Sequence, residues 1–151
     1  MSITEIKIRF PENIDAMQYF EQLRWGEKIK CSYCDSDKVT ARQNDNRFHC
    51  CKCKRTFSVT AGTFLHGSRI PLKSWIYAFA AVSNTTSKFS VRQLQRDIQV
   101  SYTSAWLMYQ DIKRLMTDEL RENEAAGNLF EVLCKKAILP LSNSYGAYNE
   151  R

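Results

Sequence analysis

The sequence predicts an α+β protein in which a small cysteine-rich β unit lies between an N-terminal helix and a larger helical region. Five of the six cysteines fall between positions 31 and 53, where short β-prone runs alternate with polar turns. On both sides of this segment, apolar residues recur at helical spacing. The chain has 151 residues, 44% of them hydrophobic and 25% charged, so it fits a soluble globular protein with little room for an elaborate enzyme.

The first predicted helix follows Pro11 and ends near Gly26. Its apolar residues recur at three-residue steps, which is typical of an amphipathic helix, and they are Ile14, Met17, Phe20 and Leu23. The N-terminus ahead of this helix lacks the apolar core of a secretory signal. The longest apolar stretch, residues 75–82, is too short to cross a bilayer. We therefore expect a cytoplasmic protein without a membrane partner.

Four cysteines have the spacing of metal ligands. Two Cys-x2-Cys pairs are separated by 15 residues, and their members are Cys31, Cys34, Cys50 and Cys53. Two such turns complete the closed tetrahedral shell of a structural Zn²⁺ site, which leaves no open position for catalysis. Disulfides and redox cysteines are disfavoured because no signal peptide precedes the pairs and neither has a thioredoxin-like setting, whereas iron in the same shell stays open. Cys51 is expected to point away from the metal, with an exchange of register with Cys50 left open, and His49 and His66 are expected to be surface or packing residues.

Short strands are predicted around and after these cysteines, which is the pattern of a zinc ribbon. They cover residues 38–42, 47–50 and 56–60, with a polar turn at 43–46. Such a unit has almost no hydrophobic core, so metal binding would contribute on the order of 10–16 kcal/mol toward its folding. Chelation should therefore unfold it.

Three helices are predicted after the ribbon. Pro71 precedes an apolar helix at about 72–82. Ser90, with Gln93 three residues later, forms a capping-box pattern that begins a short second helix. Ser101 caps a third helix that runs toward residue 120, and the inward face of this helix is predicted to hold Ala105, Met108, Tyr109, Ile112, Leu115 and Met116.

The second and third of these helices, with the tight turn between them, form a helix-turn-helix pattern. In that arrangement the start of the second helix faces the DNA major groove, and the outward residues here are Tyr102, Thr103, Trp106, Leu107 and Gln110. Nearby basic residues would contact phosphates, which position a protein without reading sequence, and they are Arg92, Arg96, Lys113 and Arg114. A plain helical hairpin has the same periodicity. Because Trp106 and Leu107 are apolar, contact with a thymine methyl group, with the ribbon or with a partner chain stays open.

The basic residues are concentrated in the middle of the chain. The formal net charge is +6, and residues 26–75 alone hold ten basic against four acidic residues. This distribution favours a polyanionic partner such as DNA or RNA, although a basic surface that only keeps a protein soluble has the same composition.

Several short motifs occur in the order found in one protein family. They are Arg24-Trp25-Gly26, Cys31-Ser-Tyr-Cys34, Arg47-Phe-His-Cys50, Cys53-Lys-Arg-Thr-Phe-Ser58, Gly62-Thr63, Ile70-Pro-Leu-Lys-Ser-Trp75, Ser90-Val-Arg-Gln-Leu94 and Val100-Ser-Tyr-Thr-Ser-Ala-Trp106. Together they resemble the front of bacterial insertion-sequence transposases that begin with a zinc ribbon. The resemblance implies that the four paired cysteines bind zinc, and that the ribbon and helix-turn-helix bind the double-stranded terminal repeats of the element. This chain has Gln99 where the family usually has glycine.

These observations divide the chain into an N-terminal helix at 1–25, a zinc ribbon at 26–68, a helix-turn-helix domain at 69–120 and a tail at 121–151. In the family, an RNase H-like catalytic domain with an acidic metal-binding triad follows. Here Asp118 is the last aspartate, and two-metal chemistry needs several convergent carboxylates. Residues 127–132 resemble the approach to the first catalytic strand, and a polar tail follows. We therefore expect a frameshift or truncation near Val132, and no catalytic residue in this chain.

The predicted function is zinc-dependent DNA binding without strand-transfer activity, in a nucleoid-associated protein that competes for transposon ends, represses transcription or is an inert remnant. The alternative is a zinc-ribbon interaction module that forms a homo-oligomer, partners a longer transposase or regulates transcription through that contact. A third hypothesis makes the chain one part of an active transposase that is completed in trans or by programmed frameshifting.

Overall fold

The computed structural model describes residues 3–42, 44–84, 90–122 and 129–138. Within them lie six helices and one three-stranded sheet, which confirms the predicted α+β class. The helices are α1 (Ile3–Arg9), α2 (Asn13–Trp25), α3 (Leu72–Asn84), α4 (Val91–Ile98), α5 (Tyr102–Glu122) and α6 (Leu129–Ile138). The strands are β1 (Val39–Ala41), β2 (Phe48–Cys50) and β3 (Thr56–Phe57).

The chain folds into two compact units. The first combines Met1–Ala16 with Ile70–Lys136, and the second combines Met17–Arg69 with Ala137–Arg151. Two of the three boundaries fall inside α2 and α6, and the third, between Arg69 and Ile70, lies outside the helices. The four-segment division inferred from the sequence stays a prediction.

Helix α3 is the centre of the first unit. It is apolar on several sides, and Ile76, Ala78, Phe79 and Ala80 are completely buried, as expected of a helix that packs on more than one neighbour. Helices α1, α4 and α5 all pack against it. The inward face predicted for α5 is correct in its main members, since Ala105, Met108, Ile112 and Leu115 are buried.

A three-stranded antiparallel sheet forms the second unit together with the cysteine turns. The strand order is β1-β2-β3, and His49 in the middle of β2 pairs with Thr40 on one side and Thr56 on the other. The small core of this unit contains Phe48 and Phe57 beside Cys31, Cys50 and Ala61. Much of that core is therefore sulfur, as the sequence predicted for a ribbon with few apolar residues.

Two elements differ from the sequence prediction. Helix α1 was not predicted, because its single buried residue, Ile6, provides no periodicity to recognise. Helix α6 was not predicted either, since residues 127–132 were interpreted as the approach to a catalytic strand, whereas residues 129–138 form a helix. Phe130, Leu133 and Ala137 are buried at helical spacing along it. The polar tail predicted at the end of the chain lies outside the described residues.

The helices that the structure describes include none with the length and apolar character needed to cross a bilayer.

Candidate metal centre and nucleic-acid interface

Both Cys-x2-Cys pairs lie in the same kind of backbone turn. In each turn the fifth residue donates its amide to the carbonyl of the first cysteine at 3.0 Å, from Asp35 to Cys31 and from Lys54 to Cys50. These fifth residues have left-handed backbones, with φ of 61° at Asp35 and 63° at Lys54. The matched turns form an internal repeat, and each directs two sulfur atoms to the same side.

The two turns bring four sulfur atoms together, those of Cys31, Cys34, Cys50 and Cys53. All four lie within 4.8 Å of one another, and the described residues contain no other cluster of three or more such ligands. Cys31 Sγ is 3.6 Å from Cys53 Sγ, and Cys34 Sγ is 3.5 Å from Cys50 Sγ. Zn–S bonds of about 2.3 Å in a tetrahedron place sulfur atoms about 3.8 Å apart. The four cysteines therefore form a metal site, and its dimensions fit a zinc ion.

The acidities of these thiols are unequal. The Cys53 amide donates to the Cys50 sulfur at 3.5 Å, and this bond, with further help from the Lys52 amide, lowers the pKa of Cys50 to about 6. For Cys34, the Ser36 amide favours the thiolate, but burial and the three neighbouring thiols together raise its pKa to about 11. Four adjacent thiolates repel one another, so their full ionisation requires a cation among them.

The remaining candidate ligands in the ribbon lie outside the sulfur cluster. Cys51 is exposed, and His49 lies in the middle strand of the sheet, opposite Thr40 and Thr56. The imidazole Nδ1 of His66 accepts a 3.3 Å hydrogen bond from the Gly62 amide. Among the described residues, these three side chains are not members of the four-sulfur cluster, and their exclusion from the ligand set stays a prediction.

Trp25 and Gly26 connect α2 to the metal turns. The Trp25 ring packs edge-on against Phe48 and Phe57, with centroids 5.6 and 6.0 Å away. Gly26, at φ 66°, ends α2 in the left-handed conformation that glycine adopts without strain. The motif thus places an aromatic side chain against the small core that also contains Cys31 and Cys50.

Arg24 is a structural residue of the ribbon that the sequence analysis did not single out for a role. Its guanidinium lies 4.9 Å from the Trp25 ring centroid and donates a 2.6 Å hydrogen bond to the Val59 carbonyl. Burial lowers the pKa of Arg24 to about 10, so the side chain still carries its charge at neutral pH. Its position beside Trp25 and Gly26 in the family motif was the available signal.

Helices α4 and α5 are joined by a turn of three residues, and both begin with a serine cap. Ser90 Oγ accepts a 3.3 Å hydrogen bond from the Gln93 amide, and Ser101 Oγ accepts one of 3.1 Å from the Ser104 amide. The reciprocal half of the predicted capping box does not form. Gln93 instead donates its side-chain amide to Asp97 at 2.9 Å.

Gln99 occupies the left-handed position that ends α4, with φ 56° and ψ 51°. Its amide donates to the Gln95 carbonyl, as does that of Val100 at 3.3 Å. This conformation explains why the family favours glycine here, since glycine has no Cβ to clash. Gln99 adopts the same turn at some cost in backbone strain.

The predicted groove-facing residues lie on the outer side of α5, at its start. Tyr102, Trp106 and Leu107 are 48%, 44% and 49% exposed, Thr103 is exposed and Gln110 is half-buried. Large apolar side chains are rarely this exposed in the described protein. The structure thus brings four of the five predicted residues to an open helix face.

The predicted phosphate-contacting residues are also at the surface. Arg92, Arg96 and Arg114 are exposed. The Arg96 Nε lies 3.4 Å from the Arg92 carbonyl, and Arg114 forms a loose 3.6 Å ion pair with Asp111. Because these contacts are solvent-exposed, they hold the cations weakly and leave them available to an anion.

The ribbon has basic residues that the sequence analysis did not select. Lys52, Lys54 and Arg55 are exposed at the second metal turn and form no ion pair within the described residues, unlike Lys28, which is 2.9 Å from Asp37. The guanidinium of Arg55 lies 5.1 Å from the ring centroid of Tyr33, which is half exposed on the first metal turn. The cluster of positive charge predicted for residues 26–75 is therefore partly unneutralised at the metal site.

Comparison with known proteins identifies the ribbon. Residues 11–56, which include α2 and both Cys-x2-Cys turns, match the family model described as a transposase zinc-ribbon domain. The chain is also 28% identical over 104 residues to an uncharacterised protein in transposable element ISH50 of Halobacterium salinarum. This match covers 67% of the chain but 35% of the relative, so the chain spans about a third of that protein's length. No solved structure was found to match. Residues 11–56 are therefore similar to a transposase zinc-ribbon domain, and the chain as a whole is similar to a transposable-element protein.

Proposed function

We propose that this chain is the DNA-recognition part of an insertion-element transposase, and that it binds the double-stranded terminal repeats of the element. One observation supports the proposal above all. A transposase-type ribbon occurs in the same chain as a helix-turn-helix whose outward residues at the start of α5 are exposed. Exposed cations on the ribbon and on α4 would supply the phosphate contacts that give such proteins most of their affinity.

The metal in this proposal is a structural zinc ion held by the four cysteines. Four sulfur ligands at tetrahedral spacing are the donor set that structural zinc takes in proteins, and they leave no position for a substrate. The ion would stabilise the ribbon and hold its basic turns in place. The proposed role of these residues is thus recognition, with the cutting and joining of DNA assigned to other residues.

The proposal is tested by gel-shift titrations with duplexes of the element's terminal repeats at increasing salt. If the exposed arginines contact phosphates, binding should weaken steeply with salt, and the slope of log K against log salt should become shallower by about 0.9 for each contact removed. Arg92→Gln and Arg96→Gln remove the two cations on α4. Lys135→Gln, an exposed cation on α6, is the matched control and should leave the slope unchanged.

Absence of binding to any duplex by the zinc-loaded protein would refute the proposal. Binding with the same affinity for terminal repeats and unrelated DNA would refute the specific target while leaving DNA binding intact. If the salt slope is the same in the α4 variants as in the unaltered chain, the phosphate contacts would be assigned to the ribbon.

A second candidate function is protein interaction, and it is favoured by the same exposed side chains. Trp106 and Leu107 present apolar surface of the kind that a partner chain covers. The partner would be a second copy of this chain or a longer transposase. Co-purification of such a partner without retention of DNA would favour this function over DNA recognition.

A further inference from the structure

We propose that the start of α5 recognises DNA through the methyl groups of thymine, by apolar contact in the major groove. The inference rests on the proposed function and goes beyond it, because it names the chemical feature of the bases that is read. It follows from the composition of one helix face.

The exposed face of α5 is apolar at its start. Tyr102, Trp106 and Leu107 are each nearly half exposed, while Ala105 and Met108, on the opposite side of the same turns, are buried. Residues 102–110 include no lysine, arginine, aspartate or glutamate. The side chains that usually read guanine and cytosine by charged hydrogen bonds are therefore missing from this face, whereas thymine presents a methyl group that apolar side chains contact.

The same face becomes basic farther along the helix. At about 100° per residue, Trp106 and Lys113 both lie within about 40° of the direction of Tyr102, and Arg114 points about 20° from Leu107. Lys113 follows Trp106 by seven residues, which is about 10 Å along the axis. The major groove is about 12 Å wide, so a helix with its apolar start against the bases would carry its cations to the phosphates at the groove edge.

This change from apolar to basic along one face favours DNA over a protein as the occupant. A protein partner would cover the apolar residues but has no general need for two cations at that distance. A duplex presents both a methyl-lined groove floor and an anionic edge. The charge pattern of the face is therefore complementary to a thymine-containing duplex.

The test compares thymine with deoxyuridine, which forms the same base pair and lacks only the methyl group. A random-sequence duplex pool is selected for binding to the zinc-loaded full chain, and the selected pool is resynthesised with dUTP in place of dTTP. We expect the selected sites to be rich in A·T pairs, and the uracil form to bind about fourfold more weakly for each methyl group contacted.

Variants connect this difference to the helix face. Trp106→Ala and Leu107→Ala should reduce the thymine-to-uracil ratio toward one, while Ile8→Ala, which removes an even more exposed apolar side chain from α1, should preserve it. Binding of the thymine and uracil duplexes to the unaltered protein requires no substitution, so this measurement tests the inference even if Trp106→Ala fails to fold.

Three outcomes would overturn the inference, and they differ in whether they also refute the proposed DNA-binding function. Equal binding of the thymine and uracil pools refutes methyl recognition but leaves the proposed DNA-binding function in place. Binding of neither pool refutes both. Concentration-dependent self-association that is abolished by Leu107→Ala would show that a second copy of the chain occupies this face.

Discussion

The hydroxyl of Tyr77 donates a 2.8 Å hydrogen bond to the carboxylate of Asp97, which links α3 to the last turn of α4. The other carboxylate oxygen of Asp97 accepts a 2.9 Å hydrogen bond from the side-chain amide of Gln93. The ammonium of Lys7 lies 5.9 Å from the Tyr77 ring centroid and adds a contact from α1. This network fixes the position of α4 relative to α3, and therefore the start of the helix pair proposed to bind DNA.

Replacing Tyr77 with phenylalanine should lower the free energy of unfolding by about 1 kcal/mol near neutral pH, since it removes one exposed hydrogen bond to a charged acceptor. Burial, together with Asp97, raises the pKa of Tyr77 to about 12, above the ordinary value of about 10. The stabilisation is therefore complete below about pH 10 and is lost as the pH rises toward 12. Urea unfolding of the unaltered chain and of Tyr77→Phe should show that the difference between their free energies of unfolding decreases across this pH range. Tyr102→Phe, at an exposed tyrosine, should keep the profile of the unaltered chain.

Cys50→Ser should abolish stable metal binding, because three thiolates remain and the deleted thiol has a pKa lowered to about 6. Cys51→Ser changes the adjacent exposed cysteine and should bind one equivalent of zinc, the amount that we expect of the unaltered chain. Metal content by emission spectroscopy and backbone amide NMR spectra would measure both effects. Loss of zinc from Cys51→Ser with retention in Cys50→Ser would show that the register of the second turn is shifted by one residue.

Chelation of the metal should unfold the ribbon while α3, α4 and α5 keep their helical signal. The ribbon core is small and partly made of ligand sulfur, so it loses a binding free energy on the order of 10 kcal/mol. The first unit has an apolar core of its own, built around α3. Amide hydrogen exchange after addition of a strong chelator would report each region separately. Loss of protection throughout both units would contradict the expectation.

Gln99→Gly should raise the free energy of unfolding by about 0.5–1 kcal/mol, because residue 99 has a left-handed backbone in which a side chain is strained. The increase in the free energy of unfolding is limited because glycine is more flexible in the unfolded chain. Gln95→Gly, one turn earlier inside α4, should instead lower the free energy of unfolding by about 1 kcal/mol. Thermal unfolding of the two variants tests this contrast, and destabilisation by Gln99→Gly would argue against the left-handed turn.

Arg24→Met should destabilise the zinc-loaded ribbon by about 1.5–3 kcal/mol, because it removes a charged hydrogen bond to the Val59 carbonyl and leaves that acceptor unpaired. Arg42→Met removes an exposed arginine whose ion pair with Asp45 is 3.4 Å long, and should change stability by about 0.5 kcal/mol or less. Denaturant unfolding at saturating zinc would compare them. If the two variants lower the free energy of unfolding by similar amounts, the Arg24 hydrogen bond does not stabilise the ribbon.

The parts of this protein that the sequence predicted well are those governed by local rules. Cys-x2-Cys spacing requires a tight turn at both pairs, and Ser90 and Ser101 precede helices because their hydroxyls satisfy free amides. The inward face of α5 followed from periodicity, as did the exposure of Trp106 and Leu107. Helix α1 was missed because one buried residue makes no pattern, and α6 was mistaken for the approach to a strand because a family resemblance was preferred to its own helical spacing.

The sequence by itself determined the α+β class, the four-cysteine metal site and the residues exposed at the start of α5, because each depends on the spacing of residues along a short segment. Only the tertiary structure decided that Gln93 bonds Asp97 in place of completing a capping box, and that Tyr77 shares this carboxylate. It also decided that Arg24 binds the Val59 carbonyl and that Tyr33 lies beside Arg55. These contacts join residues whose partners are set by the packing of separate elements. Several polar groups compete for each partner at similar energies, and the packing geometry selects among them.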